Sequence, residues 1–328
     1  MISVCLFGSG RIGRIHAANI ADRKDVELRY VVDVDQASAR EFADPYGATV
    51  CSVDEALADK NLDAVLIGSP TDTHADLISR AAKAGKAIFC EKPIDLDIAN
   101  VDVCLEVGES CGVPGALGFN RRYDRTFSSL KDKVDAGQVG DVEMVTITSR
   151  DPEPPPAEYV ARSGGLFRDM MIHDFDMARW LLPEEPVEVY ATASCLVDPA
   201  IGEAGDIDTA MVIMRTASGH LCHISNSRRA VYGYDQRIEV FGSKGMLRAE
   251  NERNDTVEHF HADGMSTARV PDFFIDRYAE AYKRELNDFV DALNRGAAPE
   301  VGGADGRLAL VLADAAQTSM ESGGPVRL

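Results

Sequence analysis

The stretch that decides the fold is ISVCLFGSGRIG, residues 2–13. A continuously apolar run, typical of strands buried on both faces of a parallel sheet, leads into a glycine-rich turn and then a helical pattern. Gly8 permits a tight turn, Gly10 lets a ligand approach the backbone, and Gly13 lets helix and strand pack closely. The stretch therefore predicts the first strand, turn and helix of an α/β domain.

The G-x-G-x-x-G spacing of these residues is typical of turns that bind a dinucleotide pyrophosphate at a helix N-terminus. Asp33 ends the second predicted strand, about 20 residues after Gly13, where an acid that binds a ribose hydroxyl is expected. Asp35 adds a second carboxylate that would repel a 2′-phosphate, which favours NAD over NADP. The residues expected to bind NAD here are Gly8, Gly10, Arg11, Ile12, Gly13 and Asp33. The alternative is a tight turn that binds nothing.

The rest of the chain divides into two patterns. Short apolar strands alternate with helices up to residue 120, which predicts a parallel sheet covered on both faces. After residue 140 strand follows strand, with hairpin turns at 216–219 and 242–245, which predicts a mostly antiparallel sheet. One helix near 166–182 interrupts these strands, and two more helices close the chain.

Composition excludes several classes of protein. The chain has 328 residues, 34 basic and 54 acidic, with a formal net charge of −20. Nucleic acids and anionic membranes are therefore not expected as partners, because both bind concentrated basic surfaces. No apolar stretch approaches the roughly 20 residues of a membrane helix, and the N-terminus does not resemble a signal peptide. The seven cysteines are scattered, which predicts reduced thiols in the cytoplasm.

Two patterns carry candidate catalytic groups. Lys92 follows the predicted strand 87–90, at the carboxyl edge of the sheet, where its ammonium is suited to stabilising an alkoxide. In the second half, Asp169, His173 and Asp176 have the spacing i, i+4 and i+7, which predicts one face of a helix. His173 is suited to removing a hydroxyl proton, with a carboxylate one turn away to orient its ring.

Other interpretations of these residues stay open. Lys92 also fits an exposed lysine in a loop. The Asp169, His173 and Asp176 face also fits a solvated acidic helix face, or a metal site, because i, i+4 spacing suits metal ligands. The metal interpretation lacks a convincing third ligand in the sequence, so no metal is expected.

Six segments together resemble the glucose-fructose oxidoreductase/inositol dehydrogenase family over essentially the whole chain. They are GSGRIG (8–13), PTDTHAD (70–76), CEKP (90–93), FNRRYD (119–124), GGLFRDMMIHDFDMARWL (164–181) and YGYDQRIEVFGSKG (232–245). The last two look most like the inositol dehydrogenase branch. The resemblance implies an α/β chain with an N-terminal Rossmann parallel sheet and a C-terminal α+β domain, whose open, mostly antiparallel sheet builds dimers and tetramers. We predict an NAD-binding domain at 1–120 and a substrate-binding and oligomerisation domain at 121–328. The prediction allows the last helix to pack back on the NAD-binding domain.

The resemblance also implies roles for single residues. The implied catalytic set is Lys92, Asp169 and His173. The residues expected to line a polyol pocket are Arg121, Asp176 and Tyr234. Those expected near the nicotinamide half of the cofactor are Thr71, His74, Glu91 and Lys92.

The expected activity is an NAD-dependent oxidation of myo-inositol to 2-keto-myo-inositol in inositol catabolism, by a cytoplasmic homo-oligomer, with a tetramer favoured. One alternative is a dehydrogenase of another neutral cyclic polyol or sugar, such as scyllo-inositol or an aldopyranose. The other alternative is a non-catalytic NAD-binding sugar sensor. Intact candidate catalytic residues argue against the sensor, because a sensor need not keep an acid/base set.

Overall fold

The computed structural model describes residues 1–328, apart from the side chain of Ala157. The chain forms two compact units. The first contains residues 1–123 and 280–310, and the second contains residues 124–279 and 311–328. None of the described helices combines the length and the apolar character that a membrane span requires.

The first unit is built on a parallel sheet. Its strands are β1 Ile2–Phe7, β2 Val26–Val32, β3 Thr49–Val50, β4 Ala64–Ile67, β5 Ala87–Glu91 and β6 Gly115–Gly118. They lie in the order β3-β2-β1-β4-β5-β6, and each neighbouring pair is parallel. The helices among them are α1 Arg11–Ala21, α2 Gln36–Ala43, α3 Val53–Ala58, α4 His74–Lys83 and α5 Ile98–Cys111. The predicted Rossmann alternation is confirmed, and the strand order reverses between β1 and β4, where such sheets bind ligands.

The second unit is built on a mixed sheet. Its strands are β7 Val142–Arg150, β8 Pro186–Ser194, β9 Thr209–Thr216, β10 Leu221–Ser227, β11 Asp235–Gly242, β12 Gly245–Ala249 and β15 Val326–Arg327, and a separate hairpin contains β13 Glu258–His261 and β14 Gly264–Thr267. The sheet order is β12-β11-β7-β10-β9-β8-β15. The β7–β10 pair is parallel and the other pairs are antiparallel, which confirms the predicted mostly antiparallel sheet.

The helices of the second unit correct one prediction. They are α6 Arg125–Asp135, α7 Ala157–Ser163, α8 Gly165–Asp169, α9 Ile172–Leu181 and α10 Pro199–Glu203. The single helix predicted near 166–182 is wrong, because α8 and α9 are separate. The Met171 N–H bonds to the Leu166 carbonyl, five residues back, so the i to i−4 ladder is interrupted. Asp169 and His173 therefore do not lie on one regular helix.

Two long helices follow, α11 Phe274–Arg295 and α12 Gly303–Ser322. Leu286, Phe289 and Val290 of α11 are buried in the apolar core of the first unit, together with residues of β1, β2, β4 and β5. A late segment of the chain thus completes the core of the first sheet.

Candidate active site

The glycine turn between β1 and α1 is constrained at two of its three glycines. Gly8 has φ +99°, and a Cβ there would lie 2.7 Å from the carbonyl oxygen of Gly68. A Cβ on Gly13 would lie 2.2 Å from the carbonyl oxygen of Gly8. A Cβ on Gly10, in contrast, would meet no described atom within 4 Å. The turn therefore leaves open space beside the N-terminus of α1, where backbone N–H groups favour an anion.

Asp33 lies directly after β2 and beside this turn. Its Oδ2 accepts hydrogen bonds from the Ser9 N–H at 2.8 Å and the Ser9 hydroxyl at 2.7 Å, and its Oδ1 accepts from the Asp35 N–H at 3.0 Å. Partial burial raises the pKa of Asp33, but these hydrogen bonds outweigh burial and the net pKa is lowered. Arg11 is exposed and Ile12 is half-buried in the first turn of α1. A fixed carboxylate beside an open glycine turn fits the ribose and pyrophosphate of a dinucleotide.

The loops after β4 and β5 hold the next candidates. Thr71 is half-buried in the short helical turn Thr71–Thr73. His74 is buried at the start of α4, with Nδ1 2.8 Å from the Pro93 carbonyl oxygen and Nε2 2.8 Å from the Ser69 carbonyl oxygen. His74 therefore links the two loops through their backbones. Lys92, next to Pro93, is half-buried directly after β5.

Glu91 is the last residue of β5 and is enclosed by its own unit. Its Oε1 lies 2.6 Å from His16 Nε2 in α1. On the other side, a Cβ on Gly118 would lie 2.9 Å from Glu91 Oε2, so β6 comes very close to this carboxyl group. Glu91 is 8% exposed, and its carboxyl group has little room to move.

Arg121 lies in the short helical turn Asn120–Tyr123 that follows β6, and it is buried. Its neighbours in the turn are held by ion pairs and hydrogen bonds. Arg122 Nη2 donates to Asp305 Oδ1 at 2.9 Å, and the Tyr123 hydroxyl donates to Asp288 Oδ2 at 2.9 Å. The backbone is thus fixed at the two positions that follow Arg121.

In the second unit, Asp169 is held by two residues that the sequence did not single out. The Tyr159 hydroxyl donates to Asp169 Oδ1 at 2.9 Å. Arg228 Nη2 lies 3.6 Å from Asp169 Oδ2 and 3.7 Å from Asp206 Oδ2. Burial and the charge of Asp169 raise the pKa of Tyr159, so this hydroxyl stays a donor. Asp169 is consequently oriented as an acceptor beside a buried guanidinium.

The helix α9 presents the other candidates of the second unit. His173 is half-buried, whereas Asp174 and Asp176 are 0% and 1% exposed. Asp174 Oδ2 accepts a hydrogen bond from Asn226 Nδ2 at 2.8 Å. The interpretation of Asp169, His173 and Asp176 as a solvated acidic face is therefore wrong, because Asp176 is buried.

Tyr234 is buried directly before β11, with its ring edge-to-face to Tyr278 at 5.9 Å between centroids. Sequence reasoning missed Tyr159, Asp206 and Arg228 around Asp169. The contacts of Arg228 join distant segments, and nothing in the sequence distinguishes it from its neighbour Arg229. A buried arginine of this kind is visible only in the folded chain.

The strand order of the first sheet, its glycine turn and the acid after β2 define a dinucleotide-binding oxidoreductase fold. Residues 2–117 match the family profile described as an oxidoreductase family with an NAD-binding Rossmann fold. Residues 127–248 match the GFO/IDH/MocA C-terminal domain. The chain belongs to the GFO/IDH/MocA family of NAD-binding oxidoreductases.

Relatives are similar over nearly the full length. An inositol 2-dehydrogenase of Rhizobium meliloti is 54% identical over 315 residues, which cover 96% of this chain and 96% of the relative. A myo-inositol 2-dehydrogenase of Thermotoga maritima is 47% identical, with 98% and 97% covered. The crystal structure of a myo-inositol dehydrogenase from Corynebacterium glutamicum has a TM-score of 0.96 at 44% identity, with 100% of this chain and 99% of that chain covered. A scyllo-inositol dehydrogenase from Lactobacillus casei, solved with NAD(H) and scyllo-inositol, has a TM-score of 0.92 at 30% identity, with 100% and 99% covered.

Proposed function

We propose that this chain is an inositol 2-dehydrogenase that oxidises myo-inositol to 2-keto-myo-inositol with NAD⁺. The observation that carries the proposal is the held carboxylate of Asp169, fixed by Tyr159 and Arg228 four positions before His173. The 54% identity to an inositol 2-dehydrogenase supports the choice of substrate. Alcohol oxidation uses a group that accepts the hydroxyl proton, and we assign that role to His173 with Asp169 as its carboxylate partner.

The chemistry divides among three residues. NAD⁺ supplies the hydride acceptor when bound. His173 removes the proton of the reacting hydroxyl, and Asp169 stabilises the imidazolium that forms. Lys92 donates a hydrogen bond to the reacting oxygen and stabilises the negative charge that develops on it. The carbon–hydrogen and oxygen–hydrogen bonds of the carbinol break as the carbonyl bond forms.

The remaining candidate residues bind and orient NAD and the polyol. We assign to Gly10 and the first turn of α1, including Arg11 and Ile12, the pyrophosphate of NAD, because their space is open and rich in N–H groups. Asp33 binds the ribose hydroxyls. Thr71, His74 and Glu91 shape the loops around the nicotinamide half. The residues that bind the other hydroxyls of the polyol are Arg121, Asp176 and Tyr234, which supply both donors and acceptors.

A panel of inositol isomers and aldopyranoses, assayed with NAD⁺ and with NADP⁺, tests the function. We expect the highest kcat/KM for myo-inositol with NAD⁺ and a ketone at carbon 2 in the NMR spectrum of the product. A higher kcat/KM for scyllo-inositol or an aldopyranose would replace the proposed substrate. Tight NAD⁺ binding without reduction by any polyol would favour the sensor. Equal use of NADP⁺ would contradict the role of Asp33.

We also propose that the enzyme is a homo-oligomer that pairs through the outer face of the second sheet. Apolar side chains on this face are 40–53% exposed: Met144, Tyr190, Met211, Ile213, Leu221 and Phe241. In the sheet register Ile213 lies opposite Tyr190, and Met144 lies opposite both Phe241 and Leu221, so the patch extends across strands. Exposed contiguous apolar surface of this kind is typical of interfaces, and a second copy of the chain can bury it.

Ile213→Asp is expected to split the oligomer into smaller species, because it places a charge in the middle of this patch. The mass of the particle is measured by light scattering after size-exclusion chromatography. Val103→Asp, at a more exposed aliphatic position on α5, is the control and is expected to leave the mass unchanged. An Ile213→Asp particle of wild-type mass would show that assembly uses another surface.

A further inference from the structure

Three buried ionisable side chains meet inside the first unit. His16 lies on α1, Glu91 ends β5, and Glu285 lies on α11. One ligand-type atom from each of the three lies within 4.8 Å of the others. The residues are 0%, 8% and 2% exposed, respectively. Neither His16 nor Glu285 has a part in the reaction proposed above.

The surroundings of this cluster are aromatic. His16 contacts the Phe89 ring at 5.1 Å and the Tyr282 ring at 6.0 Å between centroids, both edge-to-face. A low-polarity enclosure strengthens repulsion between like charges and disfavours an ionised group without a donor. The number of protons in the cluster is therefore constrained by its hydrogen bonds.

An ionised Glu285 would lack hydrogen-bond donors in this cluster. His16 Nε2 and Glu91 Oε1 are 2.6 Å apart, whereas both carboxyl oxygens of Glu285 are buried and have no hydrogen-bond donor among the described residues. His16 Nδ1 is also buried without a partner, which indicates the tautomer that carries its proton on Nε2 and donates to Glu91. Glu91 is then the carboxylate of the cluster.

A proton on Glu285 removes the repulsion between two carboxylates and also supplies the missing hydrogen-bond donor. It removes a second negative charge from the neighbourhood of Glu91, and it turns one Glu285 oxygen into a donor with a Glu91 oxygen within 4.8 Å. Burial, followed by the charge of Glu91, raises the pKa of Glu285 well above its usual range. The cluster then keeps one negative charge, on Glu91.

A bound metal ion accounts less well for the same atoms. Two ligand atoms at about 2.0–2.1 Å from a tetrahedral ion lie about 3.3 Å from each other. The separation of 2.6 Å between His16 Nε2 and Glu91 Oε1 is instead that of a short hydrogen bond. The geometry thus favours a proton between these two residues.

We propose that Glu285 is a positioning residue, an uncharged acid that donates a hydrogen bond to Glu91 and thereby fixes the end of β5 that carries Lys92. The proposal rests on the role of Lys92 given under the proposed function. The close approach of Gly118 to Glu91 from β6 makes the position of this carboxylate sensitive to its partners. Losing the Glu285 donor therefore displaces Glu91, and with it the next residue in the chain.

Two variants of the full enzyme separate positioning from space filling. Glu285→Gln keeps the shape and supplies an amide donor to Glu91, so kcat is expected to stay within about twofold of wild type. Glu285→Met fills the space without a donor, and we expect kcat to fall about 10- to 100-fold with a smaller change in the KM for NAD⁺, as for a misplaced catalytic group. Glu280→Met, at an exposed site on the same helix, is the control and is expected to change neither.

Equal kcat for Glu285→Met and wild type would overturn the proposal, as would an equal loss in the glutamine and methionine variants.

A second measurement does not depend on turnover. The infrared difference spectrum between wild type and Glu285→Gln at neutral pH is expected to show the carbonyl stretch of a protonated carboxylic acid. Absence of this band, or a stoichiometric metal ion that is lost in Glu285→Gln, would also overturn it. A wild-type enzyme that oxidises no polyol but shows the band would contradict the proposed function alone.

Discussion

Replacing His173 by alanine is expected to lower kcat for polyol oxidation by about 10²- to 10⁴-fold, the contribution of a positioned general base. The affinity for NADH is expected to stay nearly constant, because the glycine turn and Asp33 belong to the first unit and His173 to the second. NADH formation measures kcat, and fluorescence titration with NADH measures the Kd. The variant thus separates proton removal from cofactor binding.

Added imidazole is expected to restore part of the activity of His173→Ala, since it supplies the missing base. His259→Ala is the matched control, because His259 is exposed on the β13–β14 hairpin and has no part in the mechanism. Wild-type turnover by His173→Ala would remove this residue from the catalytic set. A large rise in the Kd for NADH would instead assign it to binding.

Alanine at Gly13 is expected to damage both the fold and cofactor binding. The added Cβ would lie 2.2 Å from the backbone oxygen of Gly8, so relief requires movement of the turn or of α1. Overpacking of this kind costs about 1–3 kcal/mol or more. We expect a lower Tm and a loss of NAD affinity of more than about 10-fold, or about 1.4 kcal/mol.

Replacing Gly10 by alanine is expected to weaken NAD binding with little loss of stability. A Cβ there meets no described atom within 4 Å, so the free energy of unfolding is expected to change by less than about 1 kcal/mol, the size of a helix-cap effect. The same methyl group occupies the space proposed for the pyrophosphate, and the Kd for NAD is expected to rise at least about 10-fold. Thermal unfolding and calorimetric titration measure both quantities. Unchanged NAD affinity in Gly10→Ala would place the pyrophosphate elsewhere.

Much of this fold was predictable because its signals are local. The apolar run of β1, the glycine spacing and the acid after β2 all lie within the first 33 residues, and the structure places them as one βαβ unit. The change from alternating helices to consecutive strands likewise predicted the second sheet. Local periodicity and turn chemistry determine these features directly.

The features that escaped prediction depend on contacts between distant segments. Methionine favours helices, so nothing local marks the interruption at Met171 between α8 and α9. Arg228 reaches Asp169 only through the tertiary fold, and the same holds for Glu285 beside Glu91. Periodicity indicated Asp169 and His173, but it could not supply Tyr159 and Arg228, the partners that fix the orientation of Asp169.

The position of α11 has a consequence for synthesis on the ribosome. The strands of the first sheet are translated by residue 118, yet Leu286, Phe289 and Val290 complete their core from a segment made about 170 residues later. At about 5–20 residues per second, the nascent sheet waits on the order of 10 s with part of its apolar surface uncovered. Chaperone demand should therefore peak before the 280–310 segment emerges, and a chimera between relatives must exchange that segment together with the first 123 residues.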